Sequence, residues 1–388
     1  MSVGKTVFAQ LMDLIPTHRF KACLERYDGN KGARRLSCWE QFLAMAFAQL
    51  TNRRSLRDIE VCLQAYGSQR YRMGFRHPVA RSTLAEANET RDFRIWQDLA
   101  KDLIELTRPL YAGDKLGLEQ VNELYALDCT VVDLCLSLFA WAQHRKHKSA
   151  VKIHTLLDVA AGIPAFVDVT PGHIHEVAIL DQLHLAPGSF LVMDKGYTDF
   201  ARLYRLTQVP VYFVLRAKRN LRYRRLRSRP VDRSTGLLSD QMIILTSPKT
   251  KTLYPRPLRR VRYRDFETGA DLVFLTNNCQ IPALTVAQIY RYRGKVETFF
   301  KWIKQHLHIQ AFYGTSPNAV KTQIFIAIAV FVLVARAQKL LDLRPSLYII
   351  LQVLSLNLDK KVPLNQLLTK ELFQLDNYAD PNQLCLFD

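Results

Sequence analysis

Along the first 110 residues the apolar positions recur at helical intervals, broken by short polar turns. Ser37 with Glu40 opens SCWEQFLAMAFAQLT, Ser55 with Asp58 opens SLRDIEVCLQAY, and Thr83 with Glu86 opens STLAEANETRDF after Pro78. An oxygen-bearing side chain three residues ahead of an acid predicts a capped helix start in each case. From about residue 120 the period shortens to that of strands. Runs rich in Val, Ile and Leu at 123–132, 150–159 and 163–170 predict a meander, and a short helix at 176–184 crosses over to a strand at 189–193. A helix at 198–206 and a strand at 209–215 follow. This order predicts an α/β fold, a mixed sheet with helices on its faces, behind an all-α N-terminal region.

Residues 216 to about 280 break the rhythm. Eight of the fourteen residues from 216 to 229 are Lys or Arg, among them Arg222, Arg224, Arg225 and Arg227, and a second cluster holds Arg256, Arg259, Arg260, Arg262 and Arg264. Short β-like runs (MIILT, TLYP, VRYRDF, LVFLTN) lie between them, which predicts a small β-rich insertion with a basic face. One helix is then expected over 285–308, opened by Thr285 with Gln288, followed by an apolar helix over 317–341, another after Pro345, and a tail with little signal.

Charge narrows the partner. A net charge of +19 and a pI near 9.7 point to a polyanion, either nucleic acid or an anionic membrane. The longest apolar run, 324–335, is shorter than the roughly twenty residues of a span, and MSVGKTVFAQ has no apolar signal core, so no membrane partner is expected. Seven cysteines without a CxxC pair suit a reducing cytoplasm. His144/His147 and His173/His175 have ligand-like spacing but no nearby Cys, and are expected to be structural or DNA-facing. The N-terminal helices are followed by arginines in turns (Arg53, Arg54, Arg70, Arg72, Arg76, Arg81), an arrangement similar to helix-turn-helix proteins.

The 285–308 stretch carries the candidate chemistry. At 100° per residue, Tyr290, Arg293, Glu297 and Lys304 fall within an arc of roughly 60° on one helix face. Glu297 is the only carboxylate there, among Arg291, Arg293, Lys295, Lys301 and Lys304. A solvated Glu297–Lys301 pair is the plainer alternative. Asp128 interrupts the apolar strand LYALDCTVV, where a bare carboxylate is costly. Asp194 ends a strand ahead of Gly196, at the sheet edge where sites form. Three carboxylates without soft ligands suit Mg²⁺, with Mn²⁺ as a substitute, and two such ions serve phosphoryl transfer. Asp133, Asp158, Asp168 and Asp199 compete for these places; parity puts Asp133 opposite Asp128, and the next two suit turns or edges.

Tyr290-x2-Arg293-x3-Glu297-x6-Lys304 resembles the Tyr-Arg-Glu-Lys signature of bacterial insertion-sequence transposases of the insertion-sequence-four type. Asp194-Lys195-Gly196-Tyr197 and Leu127-Asp128-Cys129-Thr130 resemble that family's second- and first-acid motifs. The resemblance spans about 120–310. It implies a ribonuclease-H-like core interrupted by a β-rich insertion just before the Glu helix, with Asp128, Asp194 and Glu297 binding two Mg²⁺ and Tyr290, Arg293 and Lys304 holding end phosphate. It further implies double-stranded DNA partners, namely terminal inverted repeats and target, a homodimer in the synaptic complex, hydrolysis at the element's ends, and joining of the 3′-hydroxyl to target DNA. None of Trp39, Trp96, Trp141 and Trp302 lies in the insertion, unlike members that stack a flipped base there during hairpin formation. A metal-dependent nuclease of the same fold and a noncatalytic, domesticated DNA-binding protein are the alternatives. The expected boundaries are 1–115 for the helical DNA-binding domain, 116–215 for the first part of the core, 216–280 for the insertion, 281–310 for the core helix with the third acid, and 311–388 for the helical C-terminal region.

Overall fold

The structure is a computed structural model and describes residues 4–114, 116–145, 148–306 and 312–375. The chain divides into two compact units, one of residues 113–131 and 150–300, the other of residues up to 112, 132–149 and from 301 onward. Together they give a mixed α/β chain with a large mixed sheet and a helical N-terminal region.

The helical unit is built on two helices that are apolar nearly all round, so each is buried rather than merely faced against a core. Cys38–Leu50 starts on the expected capping box, with Ser37 Oγ accepting from the Glu40 N–H and the Glu40 carboxylate accepting from the Ser37 N–H. Pro317–Leu340 starts on Ser316, with Pro317 in its first turn, where its missing N–H goes unneeded. By length and composition this helix could cross a membrane, yet 89% of its most apolar window is buried inside the protein, against Val7–Met12, Cys38–Leu50, Arg81–Thr90, Arg94–Thr107 and Leu347–Asn357. Asn318 ties it to the N-terminal helices, accepting from the Phe93 N–H and donating to the Asn88 and Arg91 carbonyls. Ser55 caps Leu56–Ala65 as expected, but Arg81–Thr90 begins at Ala80 with no side-chain cap, leaving Thr83 within the helix. The tail expected to carry little signal contains a helix, Leu364–Leu375.

Ten strands are described: β1 (Leu124–Leu134), β2 (Gln143–Arg145), β3 (Lys148–Asp158), β4 (Ile163–Pro171), β5 (Phe190–Met193), β6 (Tyr212–Arg216), β7 (Tyr223–Arg229), β8 (Leu237–Leu245), β9 (Leu258–Arg264) and β10 (Asp271–Thr276). They bond in the order β2–β3–β1–β5–β6–β10–β9–β8–β7, with β4 also on β3. β1, β5 and β6 run parallel and β10, β9, β8 and β7 follow antiparallel, so the strands of the basic segment continue the main sheet through β10 on β6. On one face, Leu127, Leu191, Met193, Phe213 and Leu215 pack with Tyr197, Phe200 and Leu203 from the Phe200–Gln208 helix and its lead-in. The Ala283–Arg291 helix also packs on β5, β6 and β10.

Two expectations fail in the basic segment. TLYP is not a strand; it lies at the end of a short helix, Pro248–Leu253, started by a proline. Arg259 does not sit on a basic face: it is 1% exposed, with its guanidinium bidentate on Asp240 at 2.9 and 2.8 Å and a further bond to the Ile281 carbonyl. A third failure concerns the 285–308 helix. The chain forms two helices, Ala283–Arg291 and Gly294–His306, and Thr285 is a buried residue inside the first, whose N-cap is Pro282 without a side-chain bond. Between them the amides of Tyr292, Arg293, Lys295 and Val296 bond three residues back, a tightened turn at the weak helix former Gly294.

Candidate active site

Register places the first two acids. The parallel β1–β5 ladder ends on the rung Leu127–Met193, and Asp128 and Asp194 each stand one residue beyond it. Neighbouring strands run about 4.8 Å apart, so the two backbones present their acids side by side where the parallel β1–β5 pairing ends, with β1 itself running on to Leu134. Leu127 and Met193 turn into the buried cluster with Tyr197. The next residue along a strand points to the opposite face, so the acids leave that core.

The third acid arrives from the broken helix. Tyr290, half-buried with its ring 4.7 Å from that of Phe274 on β10, extends its hydroxyl to within 3.4 Å of Asp194 Oδ1. Arg293, in the tightened turn, reaches Asp128 Oδ2 with Nη1 at 3.2 Å and Glu297 Oε1 with Nη2 at 2.5 Å. The break alters the phase of one continuous helix, yet Arg293 and Glu297 remain four residues apart on one turn and still meet. Two further bonds anchor the turn: Tyr292 donates to the Leu116 carbonyl at 2.6 Å, and Lys295 approaches the Val159 carbonyl at 3.5 Å. Lys301 and Lys304 lie farther along the Gly294–His306 helix, Lys301 exposed and Lys304 half-buried.

The two ends of the Arg293 bridge differ in wetness. The Asp128 side chain is 18% exposed and that of Glu297 55%. Burial pushes the Asp128 carboxyl up to about 6, Glu297 and Asp194 adding to the rise while the Cys129 N–H, 2.8 Å away, and Arg293 oppose it. Burial works against the Arg293 charge, but Tyr290, Glu297 and Asp128 outweigh it and hold that guanidinium above the ordinary arginine range. The Tyr290 hydroxyl is likewise raised, first by burial and then by Asp194.

Among the described residues, no three His, Cys, Asp or Glu side chains stand grouped to hold a metal ion. Arg293 occupies the gap between two of the acids. The chemistry of the donors nevertheless suits a hard cation: all three are carboxylates, and the half-buried Asp128 has its charge disfavoured by burial and by the other two.

The competing acids have other work. Asp158 accepts from the Ala161 N–H in the β3–β4 turn, Asp199 caps the Phe200–Gln208 helix and binds Arg202, Asp168 pairs across from His154, and Asp133 is exposed. His175 caps the next turn through Nδ1. The side chain of His144, and His147 altogether, lie outside the described residues. Arg222, Arg224, Arg225 and Arg227 are all exposed, the last three on β7, which among the described residues is an outermost strand pairing with β8 alone. Sequence reasoning missed a cavity of about 550 Å³ bordering Gly196, lined by Lys152, Glu176 and Lys218 among others. Lys152 is 7% exposed, bonded to the Ile174 carbonyl and 3.6 Å from Glu176, and its charge inside the apolar run AVKIHTLL was the available signal.

Comparison with known proteins bears on the same stretch. A family profile described as a transposase DDE domain matches residues 119–333, and one described as a domain of unknown function (DUF4372) matches residues 3–76. The chain is 29% identical over 221 residues to a Sinorhizobium fredii protein named as transposase y4zB, covering 56% of this chain and 61% of that one. It is 31% identical over 212 residues to a Geobacillus stearothermophilus protein named as a transposase for insertion sequence element IS5377, covering 54% and 55%. The matched stretch thus spans less than two thirds of either relative. A solved piggyBac transposase synaptic complex with hairpin DNA aligns over 97% of this chain and 82% of its own at 13% identity and a TM-score of 0.43, too distant to inform the fold.

Proposed function

The chain belongs to the transposase DDE-domain family, and from that premise we propose that it is a DNA transposase of the insertion-sequence-four type, acting on the terminal inverted repeats of its element and on target DNA. The family implies a divalent metal ion. The observation that carries the reading is the convergence just described: Asp128 and Asp194 beyond one rung of the sheet, and Glu297 joined to Asp128 through Arg293.

In this reading Asp128, Asp194 and Glu297 hold two Mg²⁺, or Mn²⁺ in their place. Bound there, the ions supply Lewis-acid stabilisation of the attacking and leaving oxygens in phosphoryl transfer. Arg293 and Tyr290 sit within reach of the acids, and a terminal phosphate takes over their donors as they leave Asp128 and Asp194. Lys304 and Lys301 extend the same helix's cationic surface along the strand. The exposed arginines Arg222, Arg224, Arg225 and Arg227 grip duplex without regard to sequence, and the N-terminal helices add a second DNA contact. We read β4–β3–β1–β5–β6 as a ribonuclease-H-like core and β7–β10 as the basic insertion that extends its sheet; the protein acts as a homodimer at the bacterial nucleoid.

The test uses labelled duplexes carrying the DNA that flanks the gene, with a supercoiled plasmid as target. Mg²⁺-dependent nicking followed by joined product is expected. Nicking without joining favours a nuclease, and neither reaction favours a noncatalytic DNA-binding protein.

A further inference from the structure

The arginines of the N-terminal segment differ in whether an acid neutralises them. Arg19, Arg26 and Arg94 pair with Asp102, Asp98 and Asp92. Arg34, Arg35 and Arg76 are exposed and have no carboxylate within ion-pair distance among the described residues. These three line one cavity of about 340 Å³, together with Trp39 and His77.

The single acid that borders the cavity, Glu40, is turned inward and used up. It is 5% exposed; one oxygen accepts from the Ser37 N–H at 3.1 Å and the Ser37 hydroxyl at 2.9 Å, and the other from the Arg76 and His77 N–H groups at 3.0 and 3.3 Å. The same bonds fix the Arg76 segment over the start of the Cys38–Leu50 helix. Gly74 makes the approach possible: its φ of +101° favours glycine, and a Cβ would come within 3.1 Å of Leu43 Cδ1. Trp39 is half-buried and stacked on Phe42, which gives the cavity a rigid wall.

Three guanidinium forks around one concavity, with the local acid already satisfied, match phosphate oxygens better than water alone. We propose that this cavity docks the sugar-phosphate backbone of duplex DNA, and that Arg34, Arg35 and Arg76 together form a phosphate clamp within the segment that matches the domain of unknown function. The choice of DNA as partner rests on the transposase reading. Bonds to phosphate carry no sequence information, so the clamp sets the register of the helical unit on DNA and not its choice of site.

The test compares the full chain with the triple variant Arg34→Ala/Arg35→Ala/Arg76→Ala on a labelled random-sequence duplex over a salt series. The three side chains are exposed, so the variant should melt with the wild type. The slope of log K against log salt should become shallower by roughly 0.9 for each phosphate that is no longer neutralised, up to about 2.7, and affinity at low salt should fall at least tenfold. The corresponding triple Lys variant should keep most of the slope. An unchanged slope and affinity in the alanine variant overturn the proposal, as does a weakening seen on single-stranded RNA but not on duplex DNA. Cleavage is scored separately at saturating protein: a changed slope in a chain that cuts nothing leaves the clamp standing and removes only the transposase reading.

Discussion

Arg293 Nη1 lies 3.2 Å from Asp128 Oδ2, while the other arm of the same guanidinium holds Glu297, so one cation joins a strand-borne acid to a helix-borne one. Arg293→Ala should therefore weaken cutting of cognate ends by about 10- to 100-fold, the worth of a charge-assisted hydrogen bond. Binding to random duplex should change little, because only an end brings its phosphate beside these acids. Cutting and binding measured on matched substrates decide it; equal losses on both remove the end-specific role.

The Arg259–Asp240 pair is buried at both ends, 2% and 4% exposed at the side chains. Asp240→Ala leaves an uncompensated guanidinium inside the sheet and should destabilise by about 3–5 kcal/mol. Arg259→Met with Asp240→Leu removes both charges and should recover most of that stability in urea unfolding. A single variant as stable as the wild type contradicts the pairing.

Much of this was legible in the sequence, and the failures share physical causes. Ser37 and Ser55 announce their helices because capping is local, and Asp128 and Asp194 stand out as charges within and just beyond apolar strands. β7 was hidden because arginines, not Val or Ile, fill it; an outer strand exposed along most of its length has no apolar face to show, and charge there also guards the sheet edge. Arg259 was misplaced for the converse reason: its burial depends on Asp240, nineteen residues away on another strand, and no local pattern records that. The break at Tyr292–Arg293 follows from Gly294 together with distant anchors at Leu116 and Val159, of which only the glycine was visible.

His154, 1% exposed and bonded through Nε2 to Thr170 at 2.8 Å, is pushed down to about 4, first by burial and then by Lys152, with Asp168 partly opposing. Unfolded, it titrates near 6.5. Below about pH 6.5 the unfolded chain binds a proton that the folded one refuses, so this histidine's contribution to stability falls as pH drops toward 4 and then levels off. Asp128, raised to about 6, contributes in the opposite sense, and does so equally in a His154 variant. The stability advantage of wild type over His154→Gln should thus shrink between pH 7 and pH 5 in urea unfolding. A constant gap shows that His154 does not titrate as its burial requires.

Arg224, Arg225 and Arg227 extend from the outermost strand, and Arg222 precedes it, all exposed. Neutralising the four should flatten the salt dependence of random-duplex binding by roughly 0.9 for each phosphate left without its arginine. A slope equal to that of the wild type shows that this edge faces something other than DNA.

The central claim is that Asp128, Asp194 and Glu297 act as one site. Asp128→Asn, Asp194→Asn and Glu297→Gln keep shape and remove charge, so each alone should abolish Mg²⁺-dependent strand cleavage as completely as all three together, since groups that work as a unit are not additive. Duplex binding and melting should stay at the wild-type level. The most direct measurement is single-turnover cleavage of an end-bearing duplex by Glu297→Gln, because Glu297 is the most exposed of the three and the one with an ordinary alternative as a surface acid. No product above background is the expected result; cleavage at the wild-type rate would contradict the account and reduce the Glu297 helix to a DNA-binding element.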